Sequence, residues 1–211
     1  MKYDYWNARE DKADGLILWG VSRGTAATFC ALAEHQYDNV KLVILEGAID
    51  SIPNVLRNWI TPFVSEERTQ NIMRGVNSAF SFFYQHGFMK FNPEGSSPLK
   101  SVEDFPEGIP VIFITSKLDT EVTCSNTENI AQSLVAKGKN DVYLLKLERS
   151  SHPNYMYDDP NDRSHYETFI HAIYKKYNLK HIPELASQGE NLINPSLLFE
   201  IMPQENALKR L

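Results

Sequence analysis

The sequence predicts an α/β fold with a mostly parallel sheet flanked by helices. Four short apolar runs rich in Ile, Leu and Val are predicted strands, and the first three lack clean polar alternation. That pattern is typical of parallel strands covered by helices on both faces. Segments with helical spacing lie between the runs, so strands and helices alternate along the chain. In chain order the predictions are a strand over Gly15–Trp19, a helix over Thr25–Gln36, strands over Lys41–Leu45 and Pro110–Thr115, a helix over Cys124–Lys137, a strand over Asp141–Leu147 and a helix over Asp162–Tyr177.

One connection is too long for a simple crossover. Residues 50–108 separate the second and third predicted strands and contain two helical patterns, Asn54–Ile60 and Glu66–Phe83. They predict a helical cap inserted into a core that covers residues 1–178, followed by a carboxyl-terminal tail, 179–211, that serves for docking. A group of aromatic residues in the cap is predicted either to pack the cap itself or to line a substrate pocket. The group comprises Phe80, Phe82, Phe83, Tyr84, Phe88 and Phe91.

Composition narrows the class of partner. The 211 residues include 21 basic and 27 acidic side chains, a net charge of −6, which repels nucleic acid and anionic lipid. No apolar run approaches the roughly 18 to 20 residues that span a bilayer, and Met1–Lys12 lacks a secretory apolar stretch. Two cysteines are too few for a disulfide framework. We therefore expect a cytoplasmic protein with no membrane span and no nucleic-acid partner.

The first strand leads directly into a glycine-flanked serine. The motif is Gly20-Val21-Ser22-Arg23-Gly24, and a helix rich in small residues follows it. This strand–turn–helix context predicts a nucleophile elbow, in which the turn exposes the Ser22 hydroxyl. The turn also places the Arg23 N–H at a helix N-terminus, where it favours a developing oxyanion. Gly20 and Gly24 are expected to let the neighbouring elements approach closely.

A serine nucleophile needs a base and an acid that orients the base. Asp119 follows the third predicted strand and His152 follows the fourth, so all three residues lie at carboxyl ends of parallel strands. Asp50, after the second strand, is an alternative acid. The sequence therefore predicts a Ser22, Asp119 and His152 triad, with Asp119 preferred over Asp50.

Other chemistry-bearing residues are predicted to be structural. No pair among the histidines and cysteines has zinc-ligand spacing, and Asp158, Asp159 and Asp162 are expected to start the final helix rather than to bind calcium. Cys124 follows Asp119 closely, but nothing in its context favours it over Ser22 as the nucleophile. We predict no metal and no cofactor. The histidines expected to be structural are His86, His165, His171 and His181.

These motifs resemble the α/β-hydrolase superfamily, in particular its serine-peptidase and esterase branches related to prolyl oligopeptidase. The resemblance covers roughly Gly15 to Tyr177 and rests on GVSRG, IPVIFITSKLDTEVT and VYLLKLERSSHPNY. It implies that Ser22 attacks an ester or amide carbonyl, that His152 takes and returns the proton, and that Asp119 fixes the imidazole tautomer.

The sequence departs from this pattern ahead of the elbow. Several strands precede the elbow strand in the family and a loop there supplies a second oxyanion donor, whereas 14 residues precede Gly15 here, with Tyr3–Arg9 predicted as the end of a helix. The first strand is then an apolar sheet edge that a homodimer or a partner chain is expected to cover. The main hypothesis is a serine hydrolase acting on a small-molecule or peptide acyl substrate. The alternative is a catalytically impaired, hydrolase-like fragment or an interaction protein that needs a missing amino-terminal half or a partner chain.

Overall fold

The computed structural model describes residues 15–35, 37–88 and 97–193. These residues form one sheet of four parallel strands, in which each strand pairs with the next strand of the chain. This arrangement confirms the predicted α/β class with a mostly parallel sheet. The elements are β1 (Leu16–Val21), α1 (Arg23–Glu34), β2 (Val40–Glu46), α2 (Ile52–Ile60), α3 (Glu66–Gln85), β3 (Val111–Ser116), α4 (Cys124–Lys137), β4 (Val142–Leu147), α5 (Pro160–Lys176), α6 (Pro183–Gly189) and a 3₁₀ turn (Glu190–Ile193).

Helices cover the two faces of the sheet. On one face Phe29 of α1 and Leu134 of α4 pack with Val43 of β2, and all three are fully buried. On the other face Phe169 of α5 packs with Ile44 of β2. Burying each such side chain stabilises the fold by about 1.5–3 kcal/mol. Because β2 and β3 are covered on both faces, their apolar side chains are buried on whichever face they lie, which explains the continuous apolar runs of these strands.

The outer strand, β1, is covered on one face only. Ile17, Trp19 and Val21 lie on the α5 side of the sheet and remain 38%, 48% and 39% exposed. The Trp19 indole N–H donates to the buried Glu46 carboxylate at 2.6 Å. Within residues 15–35, 37–88 and 97–193, no strand pairs with the outer edge of β1. The described chain therefore presents an apolar sheet edge, as the sequence predicts.

The segment after β2 contains the two predicted cap helices. Helix α2 begins at Ile52, where the Ser51 hydroxyl accepts a hydrogen bond from the Asn54 N–H. Its far end is tied to the loop after β3, because the Trp59 indole N–H donates to the Glu121 carbonyl at 2.7 Å. Helix α3 has 20 residues but buries few of them, so it lies largely against solvent.

The chain beyond residue 178 packs on the core up to residue 193. Leu179, Leu192 and Ile193 contact the apolar cluster on the α5 side of the sheet. Gly189 is required here, since an added Cβ would lie 2.1 Å from the Thr168 carbonyl oxygen of α5. Residues 179–193 of the predicted tail therefore pack against the core, and residues 194–211 lie outside the described residues. No described helix is long and apolar enough to cross a membrane.

Candidate active site

Ser22 lies at a strained turn between β1 and α1. Its backbone has φ 53° and ψ −121°, a conformation that non-glycine residues rarely adopt. Two contacts hold the turn in place: the Ser22 N–H donates to the Glu46 carbonyl at 2.8 Å, and the Thr25 hydroxyl donates to the Ser22 carbonyl at 2.5 Å. The Thr25 oxygen also accepts from the Ile49 N–H, which joins the turn to the loop after β2.

The two glycines of the motif have different roles. A Cβ at Gly20 would lie 2.7 Å from the Gly24 carbonyl oxygen and 2.9 Å from Thr25 Cα, so β1 and α1 approach too closely for any side chain there. A Cβ at Gly24 would contact no atom of the described residues. Close packing therefore requires a glycine at position 20, as expected, whereas no contact with a described residue requires one at position 24.

The structure brings the three predicted triad residues together. His152 Nε2 lies 2.8 Å from the Ser22 hydroxyl oxygen, and His152 Nδ1 lies 2.6 Å from Asp119 Oδ2. The histidine and aspartate side chains are 6% and 0% exposed, so water competes little for these hydrogen bonds. A continuous chain of hydrogen bonds therefore runs from a partly exposed hydroxyl to a buried carboxylate.

The Asp119 carboxylate is held by further donors. Its Oδ1 accepts from the backbone N–H groups of Glu121 and Val122 at 2.9 and 2.8 Å, and its Oδ2 accepts from the Tyr155 hydroxyl. Burial acts to raise the pKa of Asp119, but the hydrogen bonds from His152, Tyr155 and Val122 outweigh it and hold the pKa below its usual value. The carboxylate therefore stays ionised and fixed in orientation.

The loop that carries His152 is ordered by Asp162 at the start of α5. The buried Asp162 carboxylate accepts from the N–H groups of Glu148, Arg149 and Ser150, and from the Ser150 hydroxyl. The imidazole itself is polarised by its partner: the hydrogen bond to Asp119 raises the pKa of His152, against the opposing effect of burial.

Arg23, the predicted oxyanion residue, is the first residue of α1. The N–H groups of a helix's first turn have no partner within the helix, and the helix dipole makes them attractive to negative charge. The Arg23 N–H therefore belongs to the first turn of α1, directly after Ser22.

Asp50, the alternative acid, is engaged elsewhere. It is fully buried, and its carboxylate accepts from the Ser51 N–H and from the side-chain amides of Asn54 and Asn129. These contacts tie α2 to α4. The geometry therefore places Asp119, and not Asp50, against His152.

The remaining candidates lie outside the triad. Asp159 caps α5, and Cys124 donates its thiol hydrogen to the Ser116 carbonyl while burial raises its thiol pKa. The described residues contain no group of three or more His, Cys, Asp or Glu side chains that is placed to hold a metal ion. Of the four histidines predicted to be structural, three have a ring nitrogen that is hydrogen-bonded to a nearby backbone group; these are His86, His171 and His181.

The described aromatic residues of the cap are either exposed or line a cavity that does not include Ser22. Phe82, Phe83 and Phe88 are 51%, 44% and 72% exposed, and Phe91 lies outside the described residues. Phe80 and Tyr84 line a cavity of about 560 Å³ together with the loop that begins at Ser97. A second cavity, of about 670 Å³, lies between α2 and α4. Ser22, Asp119 and His152 line neither of these two cavities.

Sequence reasoning missed three residues that shape the site. Tyr155 donates to Asp119, Thr25 clamps the serine turn, and Gly47 has φ 55°, with its α-carbon facing His152 and Tyr155. Gly47 follows directly after β2. A glycine at the end of a strand is the feature of the sequence that could indicate a close approach between the backbone and other side chains. Nothing in the sequence distinguishes Tyr155 from the other tyrosines.

Comparison with solved structures identifies the fold as that of the α/β-hydrolases. The acylaminoacyl peptidase of Pyrococcus horikoshii is 17% identical with a TM-score of 0.57, and 85% of this chain covers 27% of that one. An esterase from Pyrococcus furiosus is 13% identical with a TM-score of 0.53, over 81% of this chain and 57% of the esterase. A puromycin hydrolase is 10% identical with a TM-score of 0.59, over 86% and 25% of the two chains.

The predicted fold family is thereby confirmed at the level of the fold. This chain spans between about a quarter and three fifths of the length of these structures. No protein-family model matches the sequence, and no curated protein sequence matches it significantly.

Proposed function

We propose that this chain carries the catalytic residues of a serine hydrolase that cleaves an ester or a peptide-type amide bond. The observation that carries the proposal is the hydrogen-bond chain from Ser22 through His152 to Asp119, with distances of 2.8 and 2.6 Å, built on a strained strand-to-helix turn. The fold shared with a peptidase and an esterase supports the same class.

In the proposed mechanism the Ser22 oxygen attacks the substrate carbonyl carbon. His152 Nε2 accepts the hydroxyl proton, and Asp119 stabilises the imidazolium and keeps the proton on Nδ1. The Arg23 N–H donates to the oxyanion of the tetrahedral intermediate. His152 then protonates the leaving alcohol or amine, which leaves an acyl group on Ser22. Water, activated by the same imidazole, releases the acid and restores the serine.

A fluorophosphonate probe tests this proposal directly. The probe phosphonylates an activated serine irreversibly, so long incubation compensates for a slow site. This matters because the loss of one oxyanion donor typically lowers turnover by about 10²- to 10³-fold. We expect intact-mass analysis to give one adduct and peptide mapping to place it on Ser22.

Two variants complete the test. Ser22→Ala is expected to abolish the adduct and leave the fold intact, whereas Ser164→Ala, at an exposed serine of α5, is expected to label as the parent does. If the chain labels at Ser22, protein that has not been treated with the probe is then assayed with p-nitrophenyl esters and with N-acylated aminoacyl substrates, the two classes that the names of the structural neighbours suggest.

A folded chain that does not react with the probe contradicts the proposal. That result supports the alternative, an interaction protein that uses the exposed edge of β1, and the next experiment is then the isolation of a stoichiometric complex. Labelling of the Ser22→Ala variant contradicts the assignment of the nucleophile.

A further inference from the structure

Tyr155 contacts the same carboxylate oxygen as the histidine of the site. It lies three residues after His152, is 1% exposed, and its hydroxyl donates to Asp119 Oδ2 at 2.5 Å. His152 Nδ1 lies 2.6 Å from that oxygen. Two donors therefore share one lone-pair-bearing atom, and the strength of one hydrogen bond depends on the other.

The Tyr155 ring has little freedom to move. A Cβ on Gly47 would lie 3.0 Å from the tyrosine hydroxyl and 2.9 Å from His152 Cε1, so the glycine backbone closes the space beside both rings. The two rings meet edge to face, with centroids 6.4 Å apart and planes at 82°. Burial and the neighbouring Asp119 both raise the pKa of Tyr155, which keeps the hydroxyl protonated as a donor.

From this geometry we infer that Tyr155 is a positioning residue that fixes the Asp119 carboxylate and lowers the proton affinity of His152. The inference rests on the proposed hydrolase function for its consequence in catalysis. A donor on Oδ2 neutralises part of the carboxylate charge and weakens the attraction of Asp119 for the proton on His152. The effect extends the neutral, base-competent form of His152 to lower pH.

Apart from Asp119, through which Tyr155 acts, the groups that face His152 and Tyr155 include Glu121, Cys124 and Ser22. On the loop after β3, Asp119 and Glu121 both raise the pKa of His152. On the side of α4, the Cys124 thiol faces Tyr155 and Asp119, and burial raises its own pKa, so it remains neutral. On the β1 side the neighbour is the uncharged Ser22 hydroxyl.

The test is the pKa of His152 in Tyr155→Phe, measured by NMR titration of its ring Cε1–H signal. The assignment comes from the spectrum of His152→Asn. We expect an upward shift of roughly half a unit or more, because the full carboxylate charge then faces the imidazole. The acid limb of the probe-labelling rate is expected to move to higher pH by the same amount.

Tyr166→Phe is a matched control, because Tyr166 is equally buried and donates to the Glu46 carboxylate outside the triad. It is expected to lose comparable stability without moving the pKa of His152. An unchanged or lowered His152 pKa in folded Tyr155→Phe overturns the inference. If that variant does not fold, 3-fluorotyrosine at position 155, a stronger donor, must lower the His152 pKa, and an unchanged value overturns the inference equally.

The titration separates this inference from the proposed function, since it needs no activity. If the parent chain does not react with the probe but the His152 pKa rises in Tyr155→Phe, the hydrolase proposal fails and the positioning role stands. If the parent labels at Ser22 and the pKa does not move, the positioning role alone fails.

Discussion

The backbone of Ser22 stores strain that its neighbours offset. A residue with a side chain at φ 53° and ψ −121° costs about 1–3 kcal/mol relative to an ordinary turn. The contacts from Thr25 and to the Glu46 carbonyl hold it there. The turn points the serine hydroxyl toward His152. Strained backbone of this kind is concentrated at functional sites, so it agrees with a role of Ser22 as a nucleophile.

Replacing Asp119 by Asn tests the acid of the site. The variant keeps the shape of the side chain but removes the charge that holds the proton on His152 Nδ1. We expect the labelling rate of Ser22 to fall by up to about 10⁴-fold, the loss typical of such a change. Asp50→Asn disturbs the anchor of α2 but not the hydrogen bond to His152, and is expected to keep most of the rate. A larger loss in Asp50→Asn contradicts the assignment.

The same variant has a defined pH signature. The hydrogen bond to Asp119 raises the pKa of His152 above its ordinary value of about 6.5, and only the neutral imidazole accepts a proton. In the parent the rate is therefore lost as the pH falls through that raised pKa. In Asp119→Asn the carboxylate that raises the pKa of His152 is absent. The acid limb of the labelling rate is therefore expected at lower pH than in the parent.

At the residue scale, the sequence predicted the parts of the site that follow strand ends. Ser22, Asp119 and His152 were identifiable because parallel strands align their carboxyl ends at one edge of the sheet. Tyr155 was not, because its position depends on the turn after His152, which brings the side chain back toward Asp119. Such a contact leaves no periodicity in the sequence.

At the element scale, the elbow depends on the close approach of β1 and α1. The carbonyl of Gly24 lies where a side chain on residue 20 would need to be. The strand can therefore lead into the helix without an intervening loop. Any widening of this crossing moves Ser22 away from His152, because the imidazole is fixed from the other side by Asp119.

Gly20→Ala is expected to lower the free energy of unfolding by about 1–3 kcal/mol, because the new methyl group meets backbone atoms that must shift. Urea denaturation measures the loss. Gly24→Ala is the matched control: its methyl group meets no described atom, and alanine favours the helix by up to about 1 kcal/mol. Equal stability of the two variants is incompatible with this account of the motif.

The types of the predicted elements agree with the structure wherever the residues are described, whereas several boundaries differ. The first strand was predicted to end at Trp19 because Gly20 interrupts the apolar run, yet β1 continues to Val21 by pairing with β2. Helix α1 begins at Arg23, ahead of Gly24, since the turn at Ser22 starts it directly. Long-range pairing therefore decides the ends that local composition leaves open.

At the scale of the whole molecule, two surfaces differ in their coverage. On the α5 side of the sheet, residues 179–193 add to the apolar cluster over the other strands. The side chains of β1 on the same side remain about half exposed. The packing of residues 179–193 was not predicted, because their Pro, Asn and Gln content resembles that of a loop. Burial against α5 outweighs that local preference.

The outer edge of β1 has no paired strand among the described residues, and this edge predicts self-association of the chain, because unpaired backbone groups beside apolar side chains favour added strands. We expect sedimentation velocity to give a concentration-dependent increase in apparent mass. Ile17→Lys places a charge on the exposed face of β1 and is expected to reduce it. Phe63→Lys removes a more exposed apolar side chain, at 86%, from the cap, and is expected to leave it unchanged. Equal effects of the two changes would indicate non-specific aggregation instead.

The contact between Ser22 and His152 joins residues 130 positions apart in the chain. A nascent polypeptide that stops before β4 contains the serine and the aspartate but not the base. The imidazole reaches Ser22 only after two steps. Strand β4 must pair with β3, and Asp162 must order the loop that joins β4 to α5 and carries His152. Translation products can be stalled at successive lengths and treated with the fluorophosphonate probe. The shortest product that reacts therefore shows the chain length at which the sheet is complete.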